Sequence, residues 1–486
     1  MNYKMICRFL GLMLTVGAIF LLPALVISLC CARWTASIAF AATFGIMGAV
    51  AAVLLLIGRR ATRLFGPREG MVAVSTGWLV LSALGCLPFV FSGEIPAYID
   101  AFFETVSGFT TTGASVLSAP ENLTEGMLYW RSFTHWLGGM GVLVFLLAIV
   151  PGGNQGGFTM HLLRAESPGP DVGKLVPRMR KTAAILYLIY IVMTVLNVIF
   201  LLLGGEMGAL EAVCTAFGTA GTGGFGTRGT SLAEFSAYTQ NVTAVFMFLF
   251  GVNFSCYYLL LLGGFKSVFK DEELRTYLLL AGGAIVLIAL NIRSLYGTWE
   301  ETVRHSAFQV SSIMTTTGFA TADFDLWPMF SKGILLLLMV VGACAGSTGG
   351  GFKVARLLLV FKSLRRNIRR VIDPKKVEVV RMGGRTVSET VLDNTNAYTA
   401  AYVVSIVVSF LLISIDPFVS SVDTGLSAVL ACFNNIGPGL AAVGPTCNFA
   451  GLSVFSKIVL SLDMLAGRLE IFPMLILLSR STWRRK

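Results

Sequence analysis

Thr110-Thr111-Thr112-Gly113 joins a short amphipathic segment to a long apolar run, and this arrangement occurs four times, about a hundred residues apart. Such a repeat indicates one structural unit used four times. Glycine matters in these turns because it reaches backbone conformations that a Cβ makes costly. The other three turns are Gly221-Thr222-Gly223-Gly224, Thr315-Thr316-Thr317-Gly318 and Asn435-Ile436-Gly437-Pro438.

A segment of about a dozen residues precedes each turn and is too short to cross a bilayer. We expect each segment to be a half-helix that dips into the membrane and returns through the turn. Irregular backbone at membrane depth is tolerated only where protein buries it or where it lines water, so four such turns predict a central aqueous path. The half-helices are predicted at 99–110, 209–220, 303–315 and 425–434.

The composition is that of a polytopic membrane protein. Hydrophobic residues make up 55% and charged residues 13% of the 486 residues, and the mean hydropathy is +0.77. A soluble domain has about 45–50% apolar and 25% charged residues. We interpret the runs that are long enough to span as two leading helices followed by four pairs. They are 5–30, 36–58, 71–92, 127–151, 182–203, 238–263, 276–292, 333–360, 396–415 and 453–479.

Basic residues set the predicted orientation. The net charge is +11, but Lys and Arg are absent from 92–130 and cluster in the segments between other spans, which argues against a nucleic-acid binder. By the positive-inside rule the clusters are cytoplasmic, the four turns face outward, and both termini lie inside. The long basic segment 362–385 has two interpretations, which are binding to anionic lipid and docking of a cytoplasmic partner.

The half-helices favour a cation on the central path. Each one would aim its C-terminal end, which carries about half a negative elementary charge, at the membrane centre. Backbone oxygens of the turns would bind the ion, and the β-branched Thr side chains would support an extended backbone. The alternative is that Gly and Thr are ordinary helix-packing residues in a membrane.

Four motifs belong to this repeat pattern: Trp130-Arg131-Ser132-Phe133-Thr134-His135-Trp136-Leu137-Gly138-Gly139-Met140-Gly141, Ser347-Thr348-Gly349-Gly350-Gly351-Phe352-Lys353, Asn434-Asn435-Ile436-Gly437-Pro438-Gly439 and Gly467-Arg468-Leu469-Glu470. Together they resemble the Trk/Ktr/HKT superfamily of potassium transporters. The two leading spans and the length resemble its bacterial Trk branch, the TrkH-type subunit. The resemblance covers nearly the whole chain.

The resemblance implies an all-α membrane fold. Two N-terminal transmembrane helices in 1–66 precede four non-identical helix–pore-loop–helix repeats in a pseudo-fourfold arrangement around one pore, at 67–160, 161–270, 271–372 and 373–486. It also implies a homodimer in the bacterial inner membrane and a cytoplasmic ring of nucleotide-binding regulatory subunits of the TrkA type. Potassium is the expected substrate, and no covalently bound cofactor is expected.

The resemblance also assigns a potassium filter to main-chain oxygens of the turns. In plant relatives a Ser in place of the first glycine accompanies a preference for sodium, so Gly113, Gly223, Gly318 and Gly437 favour potassium. Gly221 stands where Ser or Thr is more usual, and we expect a looser second quadrant that lets some sodium permeate. The assigned residues are Thr110, Thr111, Thr112, Gly113, Gly221, Thr222, Gly223, Thr315, Thr316, Thr317, Gly318, Asn434, Asn435, Ile436 and Gly437.

A glycine-rich segment is expected to break the third returning helix, because each Gly costs about 1 kcal/mol in a helix interior. The resemblance implies that this segment gates the pore beneath the filter, and the alternative is a close helix crossing. A bulky residue at Gly350 is expected to lower flux without changing selectivity. The segment contains Gly346, Ser347, Thr348, Gly349, Gly350, Gly351 and Lys353.

Arg468 lies deep in the last span, where an ionisable residue indicates a function. Aligning Gly139 with Gly467 places Arg468 opposite Met140 on a pore-facing helix, where its charge would set a barrier for cations and contribute to gating. The alternative is an internal ion pair with Glu470 or Asp463.

The remaining polar residues predict no catalytic centre. The three His residues lack companion carboxylates, and the nine Cys residues lack the spacing of metal ligands. We assign Arg131 and His135 to an aromatic belt at the membrane interface. Three outer acids are interpreted either as solvated or as concentrating cations at the mouth, namely Glu104, Asp323 and Asp325.

The sequence therefore predicts potassium uptake through a channel-like pore with a carbonyl filter and an intramembrane gate. The alternative is a carrier that couples potassium to protons or sodium by alternating access. An intramembrane enzyme would need a nucleophile with a base or a metal cluster, and the sequence has no sign of either.

Overall fold

The computed structural model describes residues 1–61, 66–141, 179–375 and 378–483. Within these ranges the regular secondary structure is helical apart from one short antiparallel hairpin, in which Arg381–Met382 pairs with Arg385–Thr386. The first two helices, Tyr3–Cys30 and Trp34–Gly58, form a hairpin that packs against the first repeat. This packing buries Phe40, Trp78 and Trp130.

Each of the four repeats begins with an outer helix and continues with a short pore helix. The outer helices are Pro67–Gly85 with its continuation Leu87–Ser92, Met179–Leu203, Glu272–Ile292 and Glu389–Ile413. The pore helices 1 to 4 are Tyr98–Phe109, Ala209–Ala220, Trp299–Met314 and Val422–Phe433. The four predicted half-helices are thus confirmed. Pore helix 3 begins four residues before the prediction because the hydroxyl of Thr298 caps it by accepting from the backbone N–H of Glu301.

The returning helices 1 to 4 follow the pore helices. They are Glu125–Gly139, Ala237–Phe250 with Phe254–Leu261, Met329–Val341 with Val354–Ile372, and Val454–Arg468 with Phe472–Leu478. The remaining short elements of the described chain are the helices Phe265–Phe269 and Arg480–Trp483 and the 3-10 turns Pro120–Asn122, Arg293–Leu295, Phe324–Leu326 and Ala441–Val443.

Six of the ten predicted spans are confirmed as continuous helices within the described residues. They are Tyr3–Cys30, Trp34–Gly58, Arg68–Ser92, Ala183–Leu203, Glu272–Leu295 and Glu389–Ile413. The other four predicted spans are the returning helices. Three of these are interrupted, and the part of the first one beyond residue 141 lies outside the described residues.

The sequence predicted an interruption only in returning helix 3, whereas returning helices 2 and 4 are broken as well. The two halves of returning helix 2 meet at 87° after Gly251, and the side chain of Asn253 caps the second half by accepting from Ser255 N–H at 2.9 Å. Returning helix 4 breaks at Glu470 and Ile471, which both have positive φ, and restarts with Pro473 in its first turn. Neither break is a run of glycines: a polar cap, Asn253, restarts returning helix 2, whereas two residues with positive φ interrupt returning helix 4.

Candidate functional site

The four turns after the pore helices have the same backbone, and we call them glycine loops 1 to 4. In each loop the second residue is left-handed, with φ between +52° and +59°, although it is not glycine. The third residue donates its N–H to the carbonyl five residues back at 2.8 Å in all four loops. This is the Schellman ending of a helix. The loops are residues 110–113, 221–224, 315–318 and 434–437.

The fourth residue of every loop is a glycine with positive φ: Gly113, Gly224, Gly318 and Gly437. The predicted register of loop 2, which matched Gly223 with the other three glycines, is therefore wrong by one residue. Gly223 is the third residue, because its N–H makes the bond to Gly218 O that Thr112 N–H makes to Ser107 O. Gly224 joins the predicted set.

The four loops form a closed ring. Each loop's last glycine packs against a carbonyl oxygen of the third residue of the next loop, which leaves no room for a side chain. A Cβ on Gly113 would overlap Gly223 O, one on Gly224 would overlap Thr317 O, one on Gly318 would overlap Ile436 O, and one on Gly437 would lie 2.8 Å from Thr112 O. The order 1, 2, 3, 4 and back to 1 places the turns around a single axis, with the C-terminal ends of four pore helices beside them.

A cavity of about 110 Å³ lies over the ring, on the side of the outer loops. All four last glycines line it, together with Arg131. Its described lining includes no Asp or Glu, so the three outer acids named from the sequence do not line this wall themselves. Asp325 lies 3.6 Å from Lys332, and Asp323 accepts a hydrogen bond from Thr446 instead.

Glu104 is buried in an ion pair, and its interpretation as a solvated outer acid is wrong. Its carboxylate contacts Arg131 at 2.7 Å and accepts from Ser115 Oγ and Val116 N–H, both at 2.9 Å. The Arg131 side chain is 3% exposed and donates to Gly226 O. Arg228, the other arginine of the cavity wall, contacts Glu211 and Glu234. Carboxylates therefore neutralise both arginines at the mouth.

The assignment of Arg131 and His135 to an interface belt is also wrong. Both side chains are buried, and they lie behind loop 2 rather than at the membrane surface. Arg131 stacks over the Phe225 ring at 3.6 Å, and the His135 ring lies 4.1 Å from the same ring.

The break in returning helix 3 runs from Gly342 to Lys353 and lies directly beneath loops 3 and 4. Gly350 N–H donates to Thr316 Oγ1 at 2.6 Å, and a Cβ on Gly350 would overlap Asn434 O. Glu273 of outer helix 3 accepts from the backbone N–H of Ala345 at 2.5 Å and of Ala355 at 3.2 Å. These bonds satisfy donors that a break in a transmembrane helix would otherwise leave unpaired.

Within the break, Ser347 Oγ donates to Cys344 O, Thr348 Oγ1 donates to Phe250 O at 3.2 Å, and Lys353 donates to Gly349 O. Gly346, Gly351 and Lys353 have positive φ. The backbone of the break thus occupies the level immediately under the ring and contacts the second, third and fourth repeats.

Arg468, the last residue of the helix Val454–Arg468, also contacts this level. Its guanidinium donates to Thr348 O at 2.9 Å, to Gly139 O at 2.8 Å and to Gly138 O. Glu470, one of its two predicted partners, forms an ion pair with Arg356. The other, Asp463, accepts from Ser409 at 2.7 Å. Arg468 therefore joins the break to the end of returning helix 1.

The position of Arg468 has equivalents in the other repeats. A Cβ on Gly138 or on Gly467 would overlap the last carbonyl of its own pore helix, so these two glycines correspond. Arg468 then corresponds to Gly139, and the predicted match to Met140 is wrong by one residue. Gly139, Gly251 and Gly350 each pack against the first residue of the next loop, which is Gly221, Thr315 and Asn434 in turn.

Comparisons with known proteins agree with this architecture. Residues 36–484 match the TrkH family, described as a cation transport protein. The Trk system potassium uptake proteins TrkH of Salmonella typhimurium and Escherichia coli K12 are 37% and 36% identical to this chain, each over the full length of both chains. The crystal structure of the potassium transporter TrkH from Vibrio parahaemolyticus matches all of both chains with a TM-score of 0.87 at 32% identity. The chain is a member of the TrkH family of cation transport proteins.

Proposed function

We propose that this protein takes up potassium across the bacterial inner membrane through a channel-like pore. The observation that carries the proposal is the closed ring of four glycine loops, in which each last glycine packs against a carbonyl of the next loop. The relatives reported above are named potassium uptake proteins, which supports potassium as the ion.

The carbonyl oxygens of the four loops replace the water that potassium loses on entering the ring. The filter consists of the residues predicted from the sequence together with Gly224. Four pore-helix C-termini add partial negative charge next to the ion. Because the ion is the substrate and backbone oxygens bind it, the site needs no ionised carboxylate.

The break Gly342–Lys353 is the gate. It lies one layer below the ring, and Arg468 fixes it by a hydrogen bond to Thr348 O. Opening requires that the break leave the axis and that Arg468 give up its carbonyl partners. Returning helix 3 continues from the break into the basic helix Val354–Ile372, so a cytoplasmic partner that moves this helix would move the gate.

The cytoplasmic surface includes this basic helix and the hairpin at Arg381–Thr386. We propose that it docks a nucleotide-binding regulatory subunit of the TrkA type, that both termini are cytoplasmic, and that two chains form a homodimer with one pore each. We retain the predicted boundaries of the four repeats as units of the pore. Binding to nucleic acid plays no part in this proposal.

A coupled carrier is the second candidate, and one observation favours it. Asp463 is buried in returning helix 4, and its Oδ2 has no hydrogen-bond partner among the described residues. A carboxyl group in such a position is able to carry a proton across part of the membrane.

Bilayer recording of the purified chain separates the two candidates. The pore predicts a reversal potential that follows the potassium gradient alone and does not move when a pH gradient is imposed. A reversal potential that shifts with the pH gradient, and stops shifting in Asp463→Asn, would establish proton coupling. Adding the cytoplasmic partner is expected to change the open probability without changing the reversal potential.

A further inference from the structure

Loop 2 differs from the other loops in what fills the space behind its backbone. In loops 1 and 3 the first and third residues are Thr, and their hydroxyls bond each other at 2.8 Å in both loops. In loop 4 the first residue is Asn434, whose Oδ1 accepts from Tyr402 Oη at 2.9 Å. Loop 2 has glycine at both positions, and so it has no side chain of its own to make such contacts.

His135 occupies the space behind loop 2. A Cβ on Gly223 would overlap the imidazole ring, and a Cβ on Gly221 would overlap the His135 carbonyl group. The His135 side chain is fully buried. The imidazole, which comes from the first repeat, thus stands where the second repeat lacks a side chain.

His135 belongs to a stripe of three residues that follows loop 2 along its length. Residues four apart lie on one face of a helix, and returning helix 1 presents Arg131, His135 and Gly139 at that spacing. Arg131 donates to Gly226 O, His135 packs on Gly223, and Gly139 packs on Gly221. One helix face therefore supports loop 2 from its first residue to two residues beyond its last glycine.

The imidazole is placed by packing and not by hydrogen bonds. Neither ring nitrogen has a hydrogen-bond partner among the described residues. Burying such polar atoms unpaired is costly, and an apolar side chain would avoid the cost. The imidazole ring therefore contributes through its van der Waals contacts with Gly223 and Phe225.

We propose that His135 is a positioning residue that sets the width of the filter in its second quadrant and thereby the preference for potassium over sodium. This inference rests on the pore function proposed above. Preference in a carbonyl filter depends on how many oxygens reach the ion and how closely they do so. Without the imidazole, loop 2 is free to move away from the axis, because interiors tolerate no empty space of that size without relaxing.

The test measures the sodium-to-potassium permeability ratio of the full-length chain from reversal potentials in planar bilayers. His135→Ala is expected to raise this ratio by about fivefold, while His135→Gln, which keeps most of the volume, stays near the parent value. His135→Asn falls between the two. A permeability ratio that does not depend on side-chain volume across these three variants overturns the inference.

A second pair of variants tests the contact with Gly223 directly. The φ of Gly223 is not positive, so Ala is compatible with its backbone, and the three atoms nearest to its Cβ all belong to the imidazole of His135. Gly223→Ala alone is expected to lose most potassium flux. The double variant H135A/G223A is expected to recover flux and to return the permeability ratio to within about twofold of the parent. A double variant no better than G223A overturns the inference, even if H135A itself does not assemble.

Leu137→Ala is the matched control, because Leu137 is also buried but lies two residues along the same helix and on the opposite side. It is expected to lower thermal stability and leave the permeability ratio unchanged, and a shift equal to that of H135A would reduce His135 to a general packing role. If the parent chain itself shows no potassium-selective current, the proposed function fails. A selective parent with an unresponsive His135 series contradicts only this inference.

Discussion

The last residue of each loop has to be glycine for two structural reasons. The last glycine of every loop has a positive φ, and its missing Cβ makes room for a carbonyl of the next loop. The second residue of each loop is equally left-handed but has a side chain, at a cost of roughly 1–2 kcal/mol. Residues held in such conformations concentrate at functional sites.

Gly318→Ser is expected to remove most of the potassium preference. The serine Cβ would overlap Ile436 O and would have to adopt a φ of +87°, so loops 3 and 4 must separate. We expect the sodium-to-potassium permeability ratio to rise by about tenfold, equal to 1.4 kcal/mol, as measured by reversal potential. Gly333→Ala is the control, since nothing lies within 4 Å of its Cβ and Ala is the better helix former. An unchanged ratio in G318S would contradict the ring.

Glu104→Gln is expected to destabilise the protein and to lower its cation conductance. The change leaves the Arg131 charge buried at the mouth without its carboxylate partner, and breaking a buried ion pair costs about 3–5 kcal/mol. Thermal unfolding in detergent measures the first effect and single-channel recording the second. The double variant Glu104→Gln with Arg131→Met removes both charges, so it is expected to recover much of the conductance. Equal conductance in the single and double variants would argue against an electrostatic cause.

Two features of the site at the residue scale are not encoded in local sequence patterns. Glu104 and Arg131 are 27 positions apart, and no local pattern indicates that they pair. The sequence does not fix the register of loop 2, because Gly221, Gly223 and Gly224 all look suitable there. The helix-ending hydrogen bonds and the positive φ single out Gly224. These details depend on long-range packing that periodicity does not encode.

At the scale of elements, the pore helices were predictable from the sequence, and the breaks in returning helices 2 and 4 were not. Pore helices are short and amphipathic and have a glycine within the next four residues, and each of these properties is local. The breaks in returning helices 2 and 4 occur inside apolar runs, and they depend on partners elsewhere. In the second repeat, for example, Phe254 N–H donates to Gly346 O in the break of the third repeat.

Arg468→Ala is expected to increase potassium flux by about tenfold while leaving the permeability ratio unchanged. The guanidinium holds carbonyls of two repeats together under the ring, and one hydrogen bond from a charged group is worth about 1.5–3 kcal/mol. The change is measured as potassium flux into vesicles that are loaded with potassium and contain the R468A variant or the parent chain. Arg480→Ala, outside the pore layer, serves as the control. Reduced flux in R468A would show that the arginine supports conduction and does not restrain the gate.

Asp416 joins outer helix 4 to the start of returning helix 4, and it predicts an acid-sensitive step. Burial would raise the pKa of its carboxyl, but hydrogen bonds from Ser453 and Ser456 outweigh burial and lower the pKa from 3.8 to about 2. Because the folded pKa is the lower one, Asp416 stabilises the fold above pH 3.8 and loses this effect as the pH falls towards 2.

The expected contribution of Asp416 is about 2 kcal/mol at neutral pH, from 1.36 kcal/mol per pKa unit. Asp416→Asn is therefore expected to lower the melting temperature at pH 7, and the difference from the parent should shrink between pH 4 and pH 2. Asp423, in the first turn of pore helix 4, supplies a control as Asp423→Asn. A difference that stays constant over that pH range would mean that the charge of Asp416 is not the cause.

At the scale of the whole molecule, the ring ties the ends of the chain together. Asn435 Nδ2 of loop 4 donates to Thr112 Oγ1 of loop 1 at 2.9 Å, and Arg468 reaches the carbonyls of Gly138 and Gly139. The first and fourth repeats close the circle although more than three hundred residues separate them. Global stability and the proposed ion site therefore depend on the same contacts.

Potassium is expected to stabilise the whole protein against heat. An ion that binds only the folded ring adds RT ln(1 + [K⁺]/Kd) to the free energy of unfolding, about 2.7 kcal/mol at a hundred times Kd. We expect the melting temperature to be several degrees higher in potassium chloride than in choline chloride of equal ionic strength. The same comparison on G318S should give no difference. A potassium effect that persists in G318S would place the ion elsewhere.

The correspondence of Arg468 with Gly139, Gly251 and Gly350 has a consequence for how such a pathway is able to change. In an assembly of four identical subunits, one altered codon would put four guanidinium groups at this level. Four positive charges so close together would repel one another, and they would also repel a cation on the axis. A chain whose quarters are encoded separately acquires the positive charge once. Mutation of such a chain is then able to change the proposed electrostatic barrier to cations by a single elementary charge. The other three repeats keep the glycine that lets the backbones pack closely.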